Sequence, residues 1–455
     1  MDELDKLRRD ILESETFCFY PFLEVSTRPN GVVFPCCYWN ENDHLSLEKR
    51  LDDKNSLDTF WNNKKVIDTR NKISNGTKVK GCKICYRDGA SSMRARSIKE
   101  HINDRDKLQI VKDTLNNEGV AKHSPKKIEL KPSNLCNLKC LICNAYDSSQ
   151  IEKELSDLDE KFNGIKTIGG TFSRIVGNQS GVWEGNVGQY VLNANSKSKW
   201  AESDRFWEEL KILLPKIEVL SFAGGEPTLN PIVNKILTYC VETKISKNIT
   251  VFISSNFTNL NPKFLSNMNN FKKFELIASI DGTEKVQEYT RFPSNWNKIK
   301  ENFEEAKTYM QGTEIKILTN ITVSIMNIFQ LHDLFWYIDE QSSKHPYYNE
   351  WPFNINLINF PEQQRISIIP PEFRQEIIDN LNHYLENGDI IKFFPDLKIK
   401  IEMLIHELNN EWDKEDSVFQ LTKLKTMLVT LDEHRKVSYK DAIPKLDEIF
   451  KEYVK

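Results

Sequence analysis

Three cysteines fall within one short stretch, "LKPSNLCNLKCLICNAYDSSQ": Cys136, Cys140 and Cys143, with three and then two residues between them. Thiolates suit soft metals and iron–sulfur clusters, and a closed structural site usually takes four protein ligands. Three on one loop can hold three corners of a cubane and leave one iron without a protein ligand. Such an iron can take an amine and a carboxylate from a small molecule, as catalytic metal sites keep a position open. The competing chemistry is a zinc loop that borrows its fourth ligand elsewhere, from His123 or another cysteine.

A second set of thiols precedes residue 100. "FCFYPFLEVSTRPNGVVFPCCYW" carries Cys18, Cys36 and Cys37, and "GCKICYRDGASSMRARS" carries Cys82 and Cys85. Cys18, Cys36, Cys82 and Cys85 can close one site, either a zinc ribbon or a cluster. Cys37 is then a spare thiol beside a ligand, or the ligand itself if the register differs by one. Cys240, alone in "ILTYCVETK", reads as a core thiol.

The elements that must position these residues follow from the pattern of apolar positions. The 455-residue chain has a formal net charge of -4 and no global basic character to attract nucleic acid. Its N-terminus, "MDELDKLRRDILESE", lacks a signal-peptide core, and no later run reaches the roughly 18 apolar residues of a membrane span. These features imply a cytoplasmic protein with no membrane partner. In a reducing compartment, clustered cysteines are ligands before they are disulfides.

From residue 127, the runs "KIELKPS", "IEVLSFAGG", "ITVFISSN", "FELIASID", "IKILTNITVSI" and "FNINLINF" read as six strands. Amphipathic helical patterns lie between most of them, among them "NPIVNKILTYCVETK" and "NWNKIKENFEEAKTYM". This alternation predicts an α/β fold with a parallel sheet, whose active site forms at the C-terminal strand ends. The chemistry-bearing motifs fall there. The cysteine triplet follows the first strand, "GGEP" (Gly224 to Pro227) the second, "SSN" (Ser254 to Asn256) the third and "SIDG" (Ser279 to Gly282) the fourth. Taken alone, "GGEP" is an ordinary strand-to-helix turn, with glycines for positive φ and proline at the first helical position.

Cys136, Cys140 and Cys143 after the first strand, with "GGEP" after the second, resemble the radical S-adenosylmethionine (SAM) superfamily over residues 126–360. The resemblance implies a partial (β/α)6 TIM-like barrel and a 4Fe-4S cluster on the three cysteines, whose unique iron chelates SAM. By the same resemblance, Gly224, Gly225 and Glu226 receive the methionine amino group. Ser254 and Asn256 are ribose or methionine contacts, and Ser279 and Arg291 are candidates for the carboxylate. Ile142 departs from the aromatic residue often found before the third cysteine. A low-potential electron donor such as flavodoxin or ferredoxin is the implied redox partner.

The N-terminal thiols, with Gly31 opening "GVVFPC", resemble the SPASM/twitch auxiliary-cluster modules that accompany many such enzymes. Here the module precedes the barrel instead of following it. The resulting division is an auxiliary domain over residues 1–100, a linker over 101–125, the core barrel over 126–360 and a helical region over 361–455. Roughly 80 residues separate the cysteine triplet from "GGEP". Within this insert, about 145–205, residues 163–195 read as a lid, with Trp183, Tyr190 and Trp200 supplying something to bury. The expected substrate is a peptide or protein side chain that is oxidised or crosslinked, with dehydrogenation of a sugar or other small molecule as the second reading. A non-catalytic metal-binding scaffold is the reading outside enzymology. No residue is identified as an acid–base or nucleophilic catalyst.

Overall fold

The computed structural model describes residues 2–39, 51, 55–89, 92–161, 199–309, 314–344, 353–359 and 361–454. The proposed lid lies outside the described residues. The six expected strands are present: β3 (Lys127–Leu130), β4 (Val219–Phe222), β5 (Thr250–Ser255), β6 (Lys273–Ser279), β7 (Ile315–Val323) and β8 (Phe353–Leu357). They pair in parallel and in sequence order.

Two further strands come from the N-terminal region, β1 (Glu24–Thr27) and β2 (Val33–Phe34). β1 joins β3 in parallel, pairing Glu24 with Lys127 and Ser26 with Glu129, and β2 returns antiparallel to β1. The sheet therefore has eight strands in the order β2-β1-β3-β4-β5-β6-β7-β8. The expectation of six strands missed these two because runs of four and two residues leave no alternation to detect.

Alternation along β5 and β7 assigns their faces. In β7, Ile315, Ile317, Ile321 and Val323 are buried, whereas Leu318, Asn320 and Thr322 are half-buried on the opposite face. Parallel sheets are normally covered on both faces. The half-buried face is the one whose Ser254, Ser279 and Thr322 line the cavity described below.

The outer face is closed by helices that the sequence pattern foresees. Pro231–Glu242 buries Val233, Ile236, Leu237 and Cys240 at helical spacing, and Asn230 caps it through its side chain to the Ile232 N–H at 2.9 Å. Cys240 is thus a core thiol. Trp296–Thr308 and Leu331–Ser343 repeat the arrangement.

The C-terminal helices, Gln375–Asn387, Pro395–Asn409, Lys414–Arg435 and Pro444–Tyr453, contribute Leu381, Leu404, Leu428 and Ile449 to the same apolar core. Asp339 fastens them to the barrel. Its carboxylate accepts from the Tyr384 hydroxyl at 3.0 Å and from the N–H groups of Asp389 and Ile390 at 2.7 and 3.0 Å. The N-terminal helices keep a separate apolar cluster around Ile11, Phe19, Phe22 and Val111. No described helix is long and apolar enough to cross a membrane.

Candidate active site

The cysteine loop begins as the chain leaves β3 and is held from three sides. Ser149 binds both ends of the Cys136 main chain, its Oγ accepting from Cys136 N–H at 3.1 Å and donating to Cys136 O at 3.2 Å. Ser148 donates to Leu138 O at 2.7 Å. From the segment after β6, the carbonyls of Phe292 and Thr290 accept from the N–H groups of Lys139 and Leu141 at 2.5 and 2.8 Å. Gln364 donates to Leu141 O at 2.9 Å. A loop with its main-chain groups satisfied this way has few ways to relax, so its thiols are pre-positioned.

"GGEP" packs directly on that loop. Gly224 and Gly225 have φ of +76° and +58°, and a Cβ at Gly225 would stand 2.2 Å from Leu135 O. Only glycine allows this approach. It lets Glu226 N–H donate to Leu135 O at 2.7 Å and Gly225 N–H to Asp147 O at 3.0 Å. The turn reading and the site reading of "GGEP" therefore describe the same geometry, with Pro227 opening a short 3-10 turn that Glu226 caps.

All ten residues expected at the barrel site line one cavity of about 380 Å³: Cys136, Cys140, Cys143, Gly224, Gly225, Glu226, Ser254, Asn256, Ser279 and Arg291. That volume falls within the roughly 300–1,000 Å³ usual for small-molecule sites. The rim rule places them together, at the C-terminal ends of four different strands.

Their side chains divide into two groups. The Glu226 carboxylate, 1% exposed, accepts from Thr228 N–H at 3.1 Å, Thr228 Oγ1 at 2.7 Å and Asn256 N–H at 2.6 Å, so it ties the ends of β4 and β5 together. Asn256 donates from Nδ2 to Asn137 Oδ1 at 2.9 Å and so reaches the cysteine loop. Arg291 donates through Nε to Asp281 Oδ2 at 2.7 Å, while Asp281 Oδ1 accepts from Thr322 N–H at 2.8 Å. These three are committed to holding the rim. The hydroxyls of Ser254 and Ser279 make no side-chain hydrogen bond among the described residues.

Sequence reasoning missed Asp147, four residues past Cys143. It lines the cavity, and its Oδ1 is buried with no hydrogen-bond partner among the described residues. A buried carboxylate oxygen without a donor is costly. Thr322 and Asn356, which also line the cavity, were missed too; only their place at the ends of β7 and β8 could have pointed to them.

Burial pushes the Cys136 thiol up to about 12 and raises those of Cys140 and Cys143. For Cys140, Arg291 and Arg435 oppose the shift, and for Cys143, Asp147 adds to it. Thiols in this setting ionise readily only when a metal supplies countercharge. Among the described residues, no three His, Cys, Asp or Glu side chains are arranged to hold a single metal ion. A cubane does not require that arrangement, because each thiolate takes a different iron. The alternative zinc ligand His123 precedes β3, at the opposite end of that strand from Cys136. Its ring packs on Trp61 with centroids 5.6 Å apart, and its Nδ1 lies 2.9 Å from Ser124 O.

The N-terminal thiols stand at that opposite end as well. The antiparallel register of β2 brings the chain after Phe34 back to the level of Glu24, whose Oε1 accepts from Cys37 N–H at 3.1 Å. Cys36 packs against the apolar cluster holding Cys18 and against Val32, Phe34 and Trp39, where Cys82 also packs. Cys82 ends the 3-10 turn Lys80–Cys82 and immediately precedes the helix Lys83–Asp88, on which Cys85 lies. Burial raises the thiols of Cys18 and Cys36, the former to about 12; Cys82 and Cys85 add to the shift at Cys18, and Cys18 and Cys82 to that at Cys36. Cys37 is surrounded differently, by Glu129, Glu24, Lys127 and Arg28. Gly31 sits in the β1–β2 turn at φ +84°, with Trp200 packed over it. None of the nine cysteines forms a disulfide.

The parallel sheet thus brings three thiols and a glycine turn to one cavity at its C-terminal strand ends. Residues 130–328 match the model of the Radical SAM superfamily, so the chain carries a radical SAM domain, the module of a SAM-dependent enzyme. Among solved structures it is similar to Streptococcus suis SuiB bound to S-adenosylmethionine, with 14% identity over 66% of this chain and 61% of that one, at a TM-score of 0.35. SuiB bound to precursor peptide SuiA gives 13% identity over 70% and 64%, at 0.36. Native anSMEcpe with bound AdoMet gives 16% over 59% and 62%, at 0.36. The chain spans less than two thirds of the length of these structures, and at such scores the likeness carries no argument about substrate. No curated protein sequence matches it.

Proposed function

We propose that the chain binds a 4Fe-4S cluster on Cys136, Cys140 and Cys143, cleaves SAM reductively and uses the resulting radical to take hydrogen from a substrate in the barrel lumen. The observation that carries this reading is the single cavity shared by the three thiols, the glycine turn and the ends of β5 and β6. When bound, the cluster supplies the electron that splits SAM into methionine and a 5′-deoxyadenosyl radical.

The chain's own residues bind and orient. The Asp147 carboxylate, with its unpartnered Oδ1, receives the positively charged amino group of SAM, alongside the main chain of Gly224 and Gly225. Glu226 acts indirectly, fixing that turn through Thr228 and Asn256. Arg291, held by Asp281, offers its remaining N–H groups to the carboxylate of SAM. Ser254 offers its hydroxyl to the ribose, and Ser279 offers its own to the carboxylate beside Arg291.

For the substrate, the strand ends beside the cavity offer amide groups and one cation, Lys400, whose Nζ donates to Asn354 Oδ1. On β7 and β8, Asn354 and Asn356 donate to Asn320 Oδ1 at 2.9 and 2.8 Å, an amide set that presents both donors and acceptors as a peptide does. This supports modification of a peptide or protein side chain. Cys18, Cys36, Cys82 and Cys85 hold a second cluster at the other end of the lumen, roughly 10 Å or more away given four residues of β3 at about 3.3 Å each. Such a site gives an electron released from substrate somewhere to go, which zinc cannot do. A low-potential flavodoxin or ferredoxin is the donor for the first electron.

The test is 5′-deoxyadenosine formation by anaerobically reconstituted protein with SAM and dithionite. It should be lost completely in the Cys136→Ala, Cys140→Ala, Cys143→Ala variant. Persistent SAM cleavage in that variant refutes the assignment.

A further inference from the structure

Next to the cysteine loop, and outside the residues that line the cavity, lies a buried ion cluster that brings in the far end of the chain. Glu154, on the helix Ser149–Lys161, is 2% exposed. Arg435, the last residue of the helix Lys414–Arg435, donates to its carboxylate through Nε at 2.9 Å and Nη2 at 2.6 Å, a bidentate pair. Lys139 Nζ donates to the same carboxylate at 3.3 Å, and His434 Nε2 stands 3.8 Å from it. The Arg435 guanidinium also sits 5.4 Å from the centroid of the Phe292 ring, and Phe292 O accepts the Lys139 N–H.

Lys139 immediately precedes Cys140, so its two bonds, to Glu154 and to Phe292 O, tie the Arg435–Glu154 pair and the Phe292 segment to the ligand loop. A buried ion cluster is a poor source of stability, since apolar replacements of similar volume are often neutral or better. Its placement calls for another explanation. Two full cations, Arg435 and Lys139, flank the Glu154 carboxylate, with Asp432 one turn back on the same helix, and of this group Arg435 places positive charge near Cys140. In a water-poor site such a charge favours the state of a bound cluster that holds one more electron.

We propose that Arg435 and Glu154 are positioning residues that hold the Cys140 segment and set the reduction potential of the cluster it ligates. The C-terminal helical region then becomes a working part of the redox site. This inference rests on the cluster assignment made above.

The experiment is a dithionite titration of the reconstituted full chain, followed by electron paramagnetic resonance, for the unmodified protein and for Arg435→Gln, Glu154→Gln and Arg435→Lys. Arg435→Gln removes a cation and should make the midpoint of the Cys136/Cys140/Cys143 cluster more negative. Glu154→Gln removes an anion and should make it less negative. Arg435→Lys restores the charge and should return the midpoint close to that of the unmodified protein. Both neutral variants break the same ion pair, so a purely structural role would move them in the same direction or not at all, and either result overturns the inference. Should Arg435→Gln fail to retain iron, the Glu154→Gln shift still decides. If no signal depends on the three cysteines, the cluster assignment itself fails. If that signal is present but ignores both charges, only this inference fails.

Discussion

The two thiol sites use the same ligand atom and differ in what surrounds it. At the rim, three thiols from one loop share a cavity with the ends of β4, β5 and β6, and with a buried carboxylate oxygen that has no partner among the described residues. At the opposite end of β1, four thiols come from three separate segments; Cys36 and Cys82 pack against Val32, Phe34 and Trp39, and Cys18 lies in the neighbouring apolar cluster that Cys36 also touches. On the proposed reading, ligand number and surroundings agree in each case: three thiols at the rim leave a position open beside a cavity, whereas four N-terminal thiols would close a site within largely apolar packing.

The largest effect should come from breaking both halves of this contrast in turn. Anaerobic reconstitution should give about eight irons per chain. The triple alanine variant at the rim should keep about four of them and form no 5′-deoxyadenosine. The Cys82→Ala, Cys85→Ala variant should also keep about four, yet retain part of its SAM cleavage. Four irons and one zinc in the unmodified protein would show that the quartet is a zinc site and leave the rim assignment standing.

A smaller effect sharpens the account of the open site. If Asp147 receives the amino group of SAM, Asp147→Asn should keep its iron and weaken SAM binding by roughly tenfold or more, the worth of a charge-assisted hydrogen bond of about 1.5–3 kcal/mol. Binding to the reconstituted variant can be read by equilibrium dialysis. An unchanged affinity would return that role to the main chain of the glycine turn alone.

How far each site could be read from sequence follows from how local it is. Cys136 to Cys143 and "GGEP" are short motifs attached to strand ends, and strand–helix alternation alone assigns them to one rim. The commitments of Glu226, Asn256 and Arg291 were not legible, because they depend on which neighbouring loop reaches each side chain. "GGEP" suggests a ligand contact, while the structure turns the carboxylate to Thr228 and Asn256. Arg435 and Glu154 meet across 281 residues of chain. Neither stands in a motif, and a helix ending in arginine is ordinary, since cations favour helix C-termini. Likewise β1 is too short to show a period, and only pairing with β3 reveals that the N-terminal region extends the barrel sheet.

The smallest expected effect separates two adjacent thiols. Cys36 and Cys37 are indistinguishable by spacing, since either could follow the hairpin that Gly31 opens. The structure separates them: both lie near Glu24, but Cys36 also lies near Cys18 and Cys82, whereas Cys37 lies near Glu129, Lys127 and Arg28. What Cys37 contributes to the fold comes from its main chain, with N–H donating to Glu24 Oε1 at 3.1 Å and the carbonyl accepting from Arg28 Nη2 at 2.8 Å. A serine keeps both bonds and nearly the same volume. Cys37→Ser should therefore retain its full iron content and melt within a degree or two of the unmodified protein, because a substitution that leaves packing and hydrogen bonds in place usually stays within about 0.5 kcal/mol. Cys36→Ser should lose the N-terminal iron. The reverse pattern, with iron lost from Cys37→Ser and kept in Cys36→Ser, would move the ligand by one residue and require the hairpin to present Cys37 to the quartet instead.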